Sequence, residues 1–443
     1  MLRHLEALAE FSAASPPDLT PRRYGKVTAC DGSMVEVTGL ALPVGSLCSI
    51  ANGWHPSHSA EVIGFRNGRT AMSLLGDSVL LRPGATVHPT GRPGSLPVGN
   101  AYLGRAVDGQ GIAIDGGPPI HSTHWWPTAG IRSGALERAS IESPFDTGIR
   151  AINAIATMGV GQRMGIIAGS GVGKSVLIDM IARNATTDVV VLGLIGERAR
   201  EVSDFVAGHM HGQCAQRTAV VAVPADHAPN LRLRGAMLAT CIAEYFRSQG
   251  KQVLLVLDSL TRVAHAAREI GLLLGENGAA RGYPPSALAL LTKLVERAGR
   301  SVSSGGSITG LYSVLADGDD TNDPVVDTAR SILDGHLVLS REIAQSGRYP
   351  AIDVSASLSR VMEGVVDANH LRQAREIRRL IASYEANRDL VLMGAYQHGR
   401  DALIDRAMAL RVQIEQFLSQ ERGERFGLTD LPGRLADLLP DAQ

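Results

Sequence analysis

The sequence feature that most constrains the fold is a glycine-rich turn between an apolar strand and a helix. The stretch from Met164 to Ile178 reads MGIIAGSGVGKSVLI, so that an apolar run ending at Ala168 leads into the turn and then into a Lys-Ser pair. Glycines in such a turn let successive backbone N–H groups point at one anion, and the N-terminus of the next helix adds partial positive charge. The pattern therefore predicts a strand, a phosphate-binding loop and a helix.

This loop is predicted to bind ATP together with Mg²⁺. Lys174 is expected to reach the β- and γ-phosphates, and the Ser175 hydroxyl is expected to serve the metal. Lysine is scarce in the chain, at positions 26, 174, 251 and 293 only, so a lysine in this loop indicates a need for a compact charge. The alternatives are a glycine-rich turn without a ligand and a dinucleotide loop, whose glycine spacing is similar to the G-x-G-x-G of this turn. Ala168 replaces the first glycine of the strict pattern, which makes the pattern slightly less specific. The residues expected to contact the nucleotide are Gly169, Ser170, Gly171, Val172, Gly173, Lys174, Ser175 and Val176.

Two carboxylates follow apolar strands and are candidates for the chemistry. Asp258 ends the run that begins at Val253, and a carboxylate in that position holds the water shell of Mg²⁺. Glu197 comes directly after an apolar run over 189–195, and the carboxyl ends of parallel strands meet at the edge where the loop lies. Glu197 is therefore the predicted group that activates water, with Arg198 expected near the γ-phosphate. A surface carboxylate is the alternative for Glu197.

Alternation of apolar strands with helices predicts an α/β core with a parallel sheet that is covered on both faces. Short strands with turn signals, among them Asn67-Gly68, precede this core and predict a small β-barrel. The predicted organisation is an N-terminal amphipathic helix over 1–20, a β-barrel over 21–91, the P-loop core over 92–368 and a C-terminal helical domain over 369–443.

Composition narrows the classes of function. The net charge of −1 and the pI near 6.9 give no electrostatic reason to expect a nucleic-acid partner. The cysteines, at positions 30, 48, 214 and 241, form no C-x-x-C pair, which fits a reducing cytoplasm. No apolar run approaches the roughly 18 residues that a membrane span needs.

The sequence resembles the hexameric, rotary-ATPase-like ATPases of type III export, most closely those of the flagellum. The resemblance covers most of the chain, because its motifs extend from the end of the barrel to the C-terminal helices. These motifs are LGRAVDG from Leu103, TGIRAIN from Thr147, GQRMGIIAGSGVGKS from Gly161, GERAREV from Gly196, LDSLTR from Leu257, GYPPS from Gly282, DDTNDP from Asp319, ILDGH from Ile332, YPAIDV from Tyr349 and GAY from Gly394.

This resemblance implies a RecA-like P-loop core and assigns further roles. It implies that Glu197 is the catalytic base, that Arg360 is an arginine finger reaching the nucleotide of a neighbouring subunit, and that Tyr349 stacks on adenine. The implied assembly is a homohexamer at the cytoplasmic face of the inner-membrane export apparatus. The implied partners are a regulatory, stator-like protein on the N-terminal helix, a coiled-coil stalk protein in the pore, export chaperones with their substrates, and the membrane export gate.

Three other functions remain as alternatives. One is the ATPase of a virulence-type secretion system. A second is a non-catalytic nucleotide-binding subunit of a rotary ATPase, against which Glu197 argues, since subunits of that kind lack this carboxylate. A third is an RNA translocase, which would need aromatic and basic residues in the barrel, where Tyr24, Trp54 and Phe65 are the only aromatics.

Overall fold

The structure is a computed structural model that describes residues 23–53, 55–131, 134–209, 212–316 and 323–439. The N-terminal helix predicted for residues 1–20 lies outside these ranges. Backbone contacts divide the chain into two compact units, residues 1–93 and residues 94–443, which are described separately.

The first unit contains a closed six-stranded barrel in the order β1-β2-β5-β4-β3-β6. Val35 and Val37 point into its apolar core, whereas the intervening Glu36 is partly exposed, as the two-residue period of a strand requires. The predicted Asn67-Gly68 turn joins β4 to β5, and both residues have positive φ, as a type I′ turn needs. The strands are β1 (Gly25–Asp31), β2 (Met34–Thr38), β3 (Leu47–Asn52), β4 (His55–Arg66), β5 (Arg69–Leu74) and β6 (Thr86–Thr90).

The second unit is built on a mostly parallel sheet in the order β20-β19-β13-β18-β16-β14-β15-β8. Only β20 runs antiparallel to its neighbour on this path. Every residue of β14 is buried, which explains why the sequence of this strand is apolar throughout and not alternating. The strands are β7 (Ser95–Val98), β8 (Arg105–Val107), β9 (His124–Pro127), β10 (Arg138–Ala139), β11 (Pro144–Phe145), β12 (Met158–Gly159), β13 (Arg163–Ala168), β14 (Val189–Ile195), β15 (Thr218–Val223), β16 (Gln252–Asp258), β17 (Gly299–Ser301), β18 (Ser307–Leu315), β19 (Gly335–Leu339) and β20 (Ile352–Ser359).

Helices cover the sheet and form the C-terminal part of this unit. Side-chain caps fix several starts: Ser259 accepts a hydrogen bond from the backbone N–H of Arg262, and Asp367 accepts one from that of His370. None of the helices in the described part of the chain is long and apolar enough to cross a bilayer. The helices are α1 (Arg150–Ile155), α2 (Lys174–Asn184), α3 (Ala199–His209), α4 (Gly212–Gln216), α5 (Pro229–Ser248), α6 (Leu260–Leu273), α7 (Pro285–Val295), α8 (Pro324–Ile332), α9 (Arg341–Gln345), α10 (Met362–Val365), α11 (Ala368–Leu392), α12 (Ala402–Leu418) and α13 (Leu431–Leu438).

The helices α11 and α12 form a hairpin that shares its core with the parallel sheet. Ile377, Leu380 and Phe417 belong to the same cluster of buried side chains as Ile166 and Leu192. The C-terminal domain predicted to be helical over 369–443 is interrupted by a loop at residues 393–401, in which Gly394 and Gly399 have positive φ. Arg378, on α11, turns inward and donates to the backbone carbonyls of Ser357 and Ile155, so it ties the hairpin to β20 and α1.

Candidate active site

The predicted phosphate-binding loop joins β13 to α2. Gly173 caps the first turn of α2 with φ 93°, a left-handed conformation that a side chain would strain. Gly171 also has positive φ, and no atom lies within 4 Å of where its β-carbon would be. Ser170, Gly171, Ser175 and Val176 are exposed, whereas Lys174 is buried. The loop therefore has an open rim for a ligand and an internal cation.

Lys174 is clasped between the two predicted carboxylates. Its Nζ donates to Oε1 of Glu197 at 2.8 Å and also to Oδ1 of Asp258. All three side chains are largely buried, with 9% of Lys174, 15% of Glu197 and 4% of Asp258 exposed. Buried charges need partners, and this cluster supplies one cation for two anions. The structure thus brings Lys174, Glu197 and Asp258 together, although they are far apart in sequence.

The order of the strands explains why Glu197 and Asp258 lie close together. Strand β16 lies directly beside β14, and Leu194 pairs with Asp258 in the register of these two strands. Glu197 follows Gly196, whose φ is +74° and whose β-carbon, if present, would lie 2.6 Å from Cβ of Arg262. Glycine is required there, because any side chain would collide with α6. The turn at Gly196 therefore holds Glu197 at the carboxyl edge of the sheet.

The electrostatics of the cluster favour a proton acceptor at Glu197. Burial and the nearby Asp258 carboxylate raise the pKa of Glu197, and Lys174 offsets only part of this rise. Burial opposes the charge on Lys174, but the two carboxylates outweigh burial and raise the Lys174 pKa. A carboxylate whose pKa is raised towards neutrality is a better general base than an ordinary glutamate.

Tyr349 lies beside the loop. A β-carbon built on Gly173 would lie 3.5 Å from Cε1 of the Tyr349 ring, and 48% of Tyr349 is exposed. An exposed aromatic ring at the mouth of a phosphate-binding loop is a suitable surface for stacking a base. The Tyr349 ring thus lies at the mouth of the loop, and its stacking on adenine stays a prediction.

The two predicted arginines lie elsewhere. Arg360 directly follows β20 and is exposed. Its Nη2 donates to the carbonyl of Arg330 at 3.2 Å, and the guanidinium forms no ion pair within the described ranges. Arg198 is 84% exposed, and its Nε lies 3.8 Å from Oε1 of Glu201. The structure does not bring the Arg198 side chain into the Lys174 cluster. Neither arginine contacts the loop of its own chain through a hydrogen bond or ion pair that the structure records.

The donors at the loop fit Mg²⁺. Ser175 offers an exposed hydroxyl at the first turn of α2, and Asp258 and Glu197 offer carboxylate oxygens, which are the hard ligands that Mg²⁺ prefers. Among the described residues no cluster of three His, Cys, Asp or Glu side chains could hold a metal by itself.

Two buried polar residues near the site have no part in the prediction from sequence. Ser313, on β18, donates its hydroxyl hydrogen to Oδ1 of Asp258 and so orients that carboxylate. Its signal in the sequence is a hydroxyl residue near the carboxyl end of β18, the same edge of the sheet at which Asp258 lies, and Ser313 is fully buried there. Asp179, on α2, is buried and pairs with Arg183 and with the distant Arg422. No local sequence pattern predicts a contact between residues so far apart in the chain.

Comparison with known proteins agrees with this geometry. The profile of the ATP synthase alpha/beta family, nucleotide-binding domain, matches residues 148–359. A second profile, the C-terminal domain of the T3SS EscN ATPase, matches residues 366–437.

Relatives of known name cover almost the whole chain. The flagellum-specific ATP synthase of Pseudomonas aeruginosa is 47% identical over 100% of this chain and 98% of its own length. The type 3 secretion system ATPase of Xanthomonas euvesicatoria is 44% identical over 90% of both chains. The assembled ATPase EscN of enteropathogenic Escherichia coli superposes with a TM-score of 0.88 at 38% identity, over 94% of this chain and all of that one. EscN in complex with its central stalk EscO gives a TM-score of 0.86 over the same 94% of this chain and, again, all of the other.

The phosphate-binding loop, the clasped Lys174 and the near full-length similarity agree with one another. The chain belongs to the family of type III export ATPases, which includes the flagellum-specific ATP synthases and the type 3 secretion system ATPases.

Proposed function

We propose that this protein hydrolyses ATP as the motor of the flagellar type III protein export apparatus. The observation that carries the proposal is the buried Lys174, which holds Glu197 and Asp258 at the carboxyl edge of a parallel sheet, beside a loop built for phosphate. A non-catalytic nucleotide-binding subunit needs the loop but has no use for a buried carboxylate with a raised pKa at Glu197.

The proposed chemistry depends on Lys174, which exchanges its carboxylate partners for phosphate oxygens. When a triphosphate enters the loop, the Lys174 ammonium can leave its carboxylates for the β- and γ-phosphate oxygens, where it neutralises charge. Asp258, oriented by Ser313, and Ser175 are the residues that would hold Mg²⁺, partly through water. Mg²⁺, when bound, offsets the charge of the phosphate oxygens. Glu197 is freed at the same time to orient a water molecule and accept its proton.

Arg360 is proposed to complete the site of a neighbouring subunit. Its guanidinium is exposed and lacks a carboxylate partner within the described residues, so it is available to an anion outside its own chain. A guanidinium delivered in this way stabilises the charge that develops during phosphoryl transfer and accounts for about 10³–10⁵ in rate. Hydrolysis is therefore expected to depend on assembly into a ring, which we propose to be a homohexamer.

The export role rests on the named relatives. EscN has been seen assembled and with its central stalk, so we propose a stalk protein in the pore of this ring as well. The remaining proposed partners are a stator-like regulator on residues 1–20, export chaperones with their substrates, and the membrane export gate, with the ring at the cytoplasmic face of the inner membrane. Chaperone release and substrate export are the proposed uses of hydrolysis.

A virulence-type secretion ATPase is the second candidate, because the Xanthomonas relative is almost as similar as the flagellar ones. Deleting the gene in the source organism separates the two. Loss of swimming and of flagellin export, with effector secretion intact, is expected. The reverse pattern would assign the chain to the virulence system.

The enzyme itself is tested with the full-length protein and Mg-ATP. Lys174→Ala is expected to abolish phosphate release, whereas Lys293→Ala, which removes an exposed lysine from α7, is expected to leave the rate unchanged. Hydrolysis by Lys174→Ala at the wild-type rate would refute the proposed site.

A further inference from the structure

A short segment after α12 ties the C-terminal helices to the nucleotide site. This connecting segment, residues 419–426, carries Gln420, which is only 5% exposed although its side chain is polar. The backbone N–H of Gln420 donates to the carbonyl of Tyr349 at 2.9 Å. Gln420 therefore holds the backbone of Tyr349, whose ring faces the phosphate-binding loop, although the two residues are distant in sequence.

The side chain of Gln420 is itself fixed at every polar atom. Its Oε1 accepts from the backbone N–H of Arg150 at 2.7 Å, and its Nε2 donates to the carbonyls of Gly148 at 2.8 Å and Glu424 at 2.9 Å. A primary amide has one acceptor oxygen and two N–H donors, and all of them are satisfied here. The amide thus anchors the connecting segment to the first turn of α1, which belongs to the core of the unit.

Arg150 reinforces the same anchor. Its Nη1 donates to the carbonyl of Ser419 at 2.9 Å, and its guanidinium carbon lies 4.8 Å from the centre of the Phe426 ring. Both ends of the connecting segment are therefore fixed against α1. The position of the Gln420 backbone N–H, and with it the Tyr349 carbonyl, is set by these contacts.

We propose that Gln420 is a positioning residue for the base of the nucleotide. By fixing the backbone of Tyr349 it holds the ring at the mouth of the loop, and so it determines the part of nucleotide affinity that depends on the base. The proposal rests on the proposed stacking of Tyr349 on adenine. It does not involve the phosphates, since Gln420 forms no recorded hydrogen bond with the loop.

The test compares two ligands that share the phosphates and differ in the base. Dissociation constants of Mg-ATP and Mg-tripolyphosphate are measured by calorimetry for the full-length wild type, Tyr349→Ala, Gln420→Leu and the double variant. Stacking on one aromatic ring accounts for about 5- to 150-fold in affinity, so Tyr349→Ala is expected to weaken ATP binding within that range and to leave tripolyphosphate unchanged. Gln420→Leu is expected to weaken ATP selectively in the same way, through a higher KM at little cost in kcat.

The double variant and a matched control separate positioning from general damage. Because Gln420 acts through Tyr349, the double variant is expected to bind ATP no more weakly than Tyr349→Ala alone. Arg425→Ala is the control: Arg425 ties the same connecting segment to Asn184 and Thr186 but makes no recorded contact with Tyr349, so it should leave the ratio of the two affinities unchanged. If Gln420→Leu does not fold, Gln420→Asn, which keeps the amide but shortens its reach, replaces it.

The outcomes are distinct. If Tyr349→Ala loses ATP selectively and the Gln420 variants do not, positioning by Gln420 is refuted while stacking by Tyr349 stands. If the Gln420 variants weaken both ligands equally, or add to Tyr349→Ala, the residue has a general structural role and the proposal is also refuted. If Tyr349→Ala itself leaves ATP affinity unchanged, stacking of Tyr349 on adenine is refuted, and the proposal for Gln420 is refuted as well.

Discussion

Replacing Glu197 by glutamine separates the charge of this residue from its shape. Glutamine keeps the volume and can still accept a hydrogen bond from Lys174, but it carries no negative charge. A hydrogen bond to a charged group contributes about 1.5–3 kcal/mol to stability. Removing the only partner of a buried charge costs about 3–5 kcal/mol, but Lys174 keeps Asp258 as its partner. The raised pKa of Glu197 also means that the folded site disfavours the charge on this residue, so the loss of stability should stay below about 1.5 kcal/mol.

The effect on the reaction is expected to exceed the effect on folding. A positioned general base contributes about 10²–10⁴ in rate, or roughly 3–5 kcal/mol of barrier. Binding should not suffer, because the variant leaves Lys174 with one fewer anion to compete with the phosphates. Glu197→Gln is therefore expected to bind ATP at least as tightly as the wild type, to turn over at least about a hundredfold more slowly, and to keep its ATP-bound oligomer for longer.

Three measurements on the full-length protein check this reasoning. Phosphate release at saturating Mg-ATP gives turnover, titration gives the ATP dissociation constant, and sedimentation with ATP gives the oligomer. Glu201→Gln is the matched control, because Glu201 is an exposed carboxylate on the first turn of α3, beside Arg198. Loss of ATP binding together with turnover would mean that Glu197 positions the ligand and is not the base. Undiminished turnover would remove Glu197 from the chemistry altogether.

Four further outcomes are expected. Lys174→Ala should lose ATP affinity and turnover and also melt earlier in calorimetry, because it leaves the buried Asp258 without its cation at a cost of about 3–5 kcal/mol; an unchanged melting temperature would contradict the clasp. The pKa of Glu197 is raised above 4.5 and the base must be ionised, so kcat/KM should rise with pH through a value above 4.5; an acid limb at or below that value would contradict the raised pKa. Arg360→Ala and Glu197→Gln, each nearly inactive, should recover turnover when mixed into one ring; no recovery despite co-assembly would place Arg360 outside a neighbour's site. Removing residues 1–14 should leave basal hydrolysis intact and abolish capture of the regulatory partner; a truncated chain that does not fold would instead give this segment a structural role.

The parts of the site that the sequence predicted are those that depend on short-range rules. The loop was identifiable because glycine spacing and a Lys-Ser pair have a local physical meaning. Glu197 and Asp258 were identifiable because each ends an apolar strand, and parallel strands present their carboxyl ends at one edge. The barrel hairpins followed from turn chemistry in the same way.

What the sequence did not predict depends on packing between distant segments. The clasp of Lys174 by both carboxylates requires the order of the strands, which no local pattern contains. Ser313 and Gln420 take their roles from neighbours more than fifty residues away. Arg198 was expected near the γ-phosphate from its place beside Glu197, but its side chain lies in solvent just before α3 begins. Adjacency in sequence does not fix the direction of a side chain after a tight turn.

The core shared by the helical hairpin and the sheet has a practical consequence for dissecting the protein. A fragment ending before α11 would lose Ile377, Leu380 and Phe417 and expose the apolar side chains against which they pack. Such a surface favours aggregation, so an excised nucleotide-binding fragment should be insoluble even though every residue of the loop is retained. Close-packed side chains deform little, so a force applied to the hairpin is expected to be transmitted to the sheet and not absorbed by a flexible joint. The hairpin is mechanically an extension of the sheet whose strand β13 leads into the loop before Lys174.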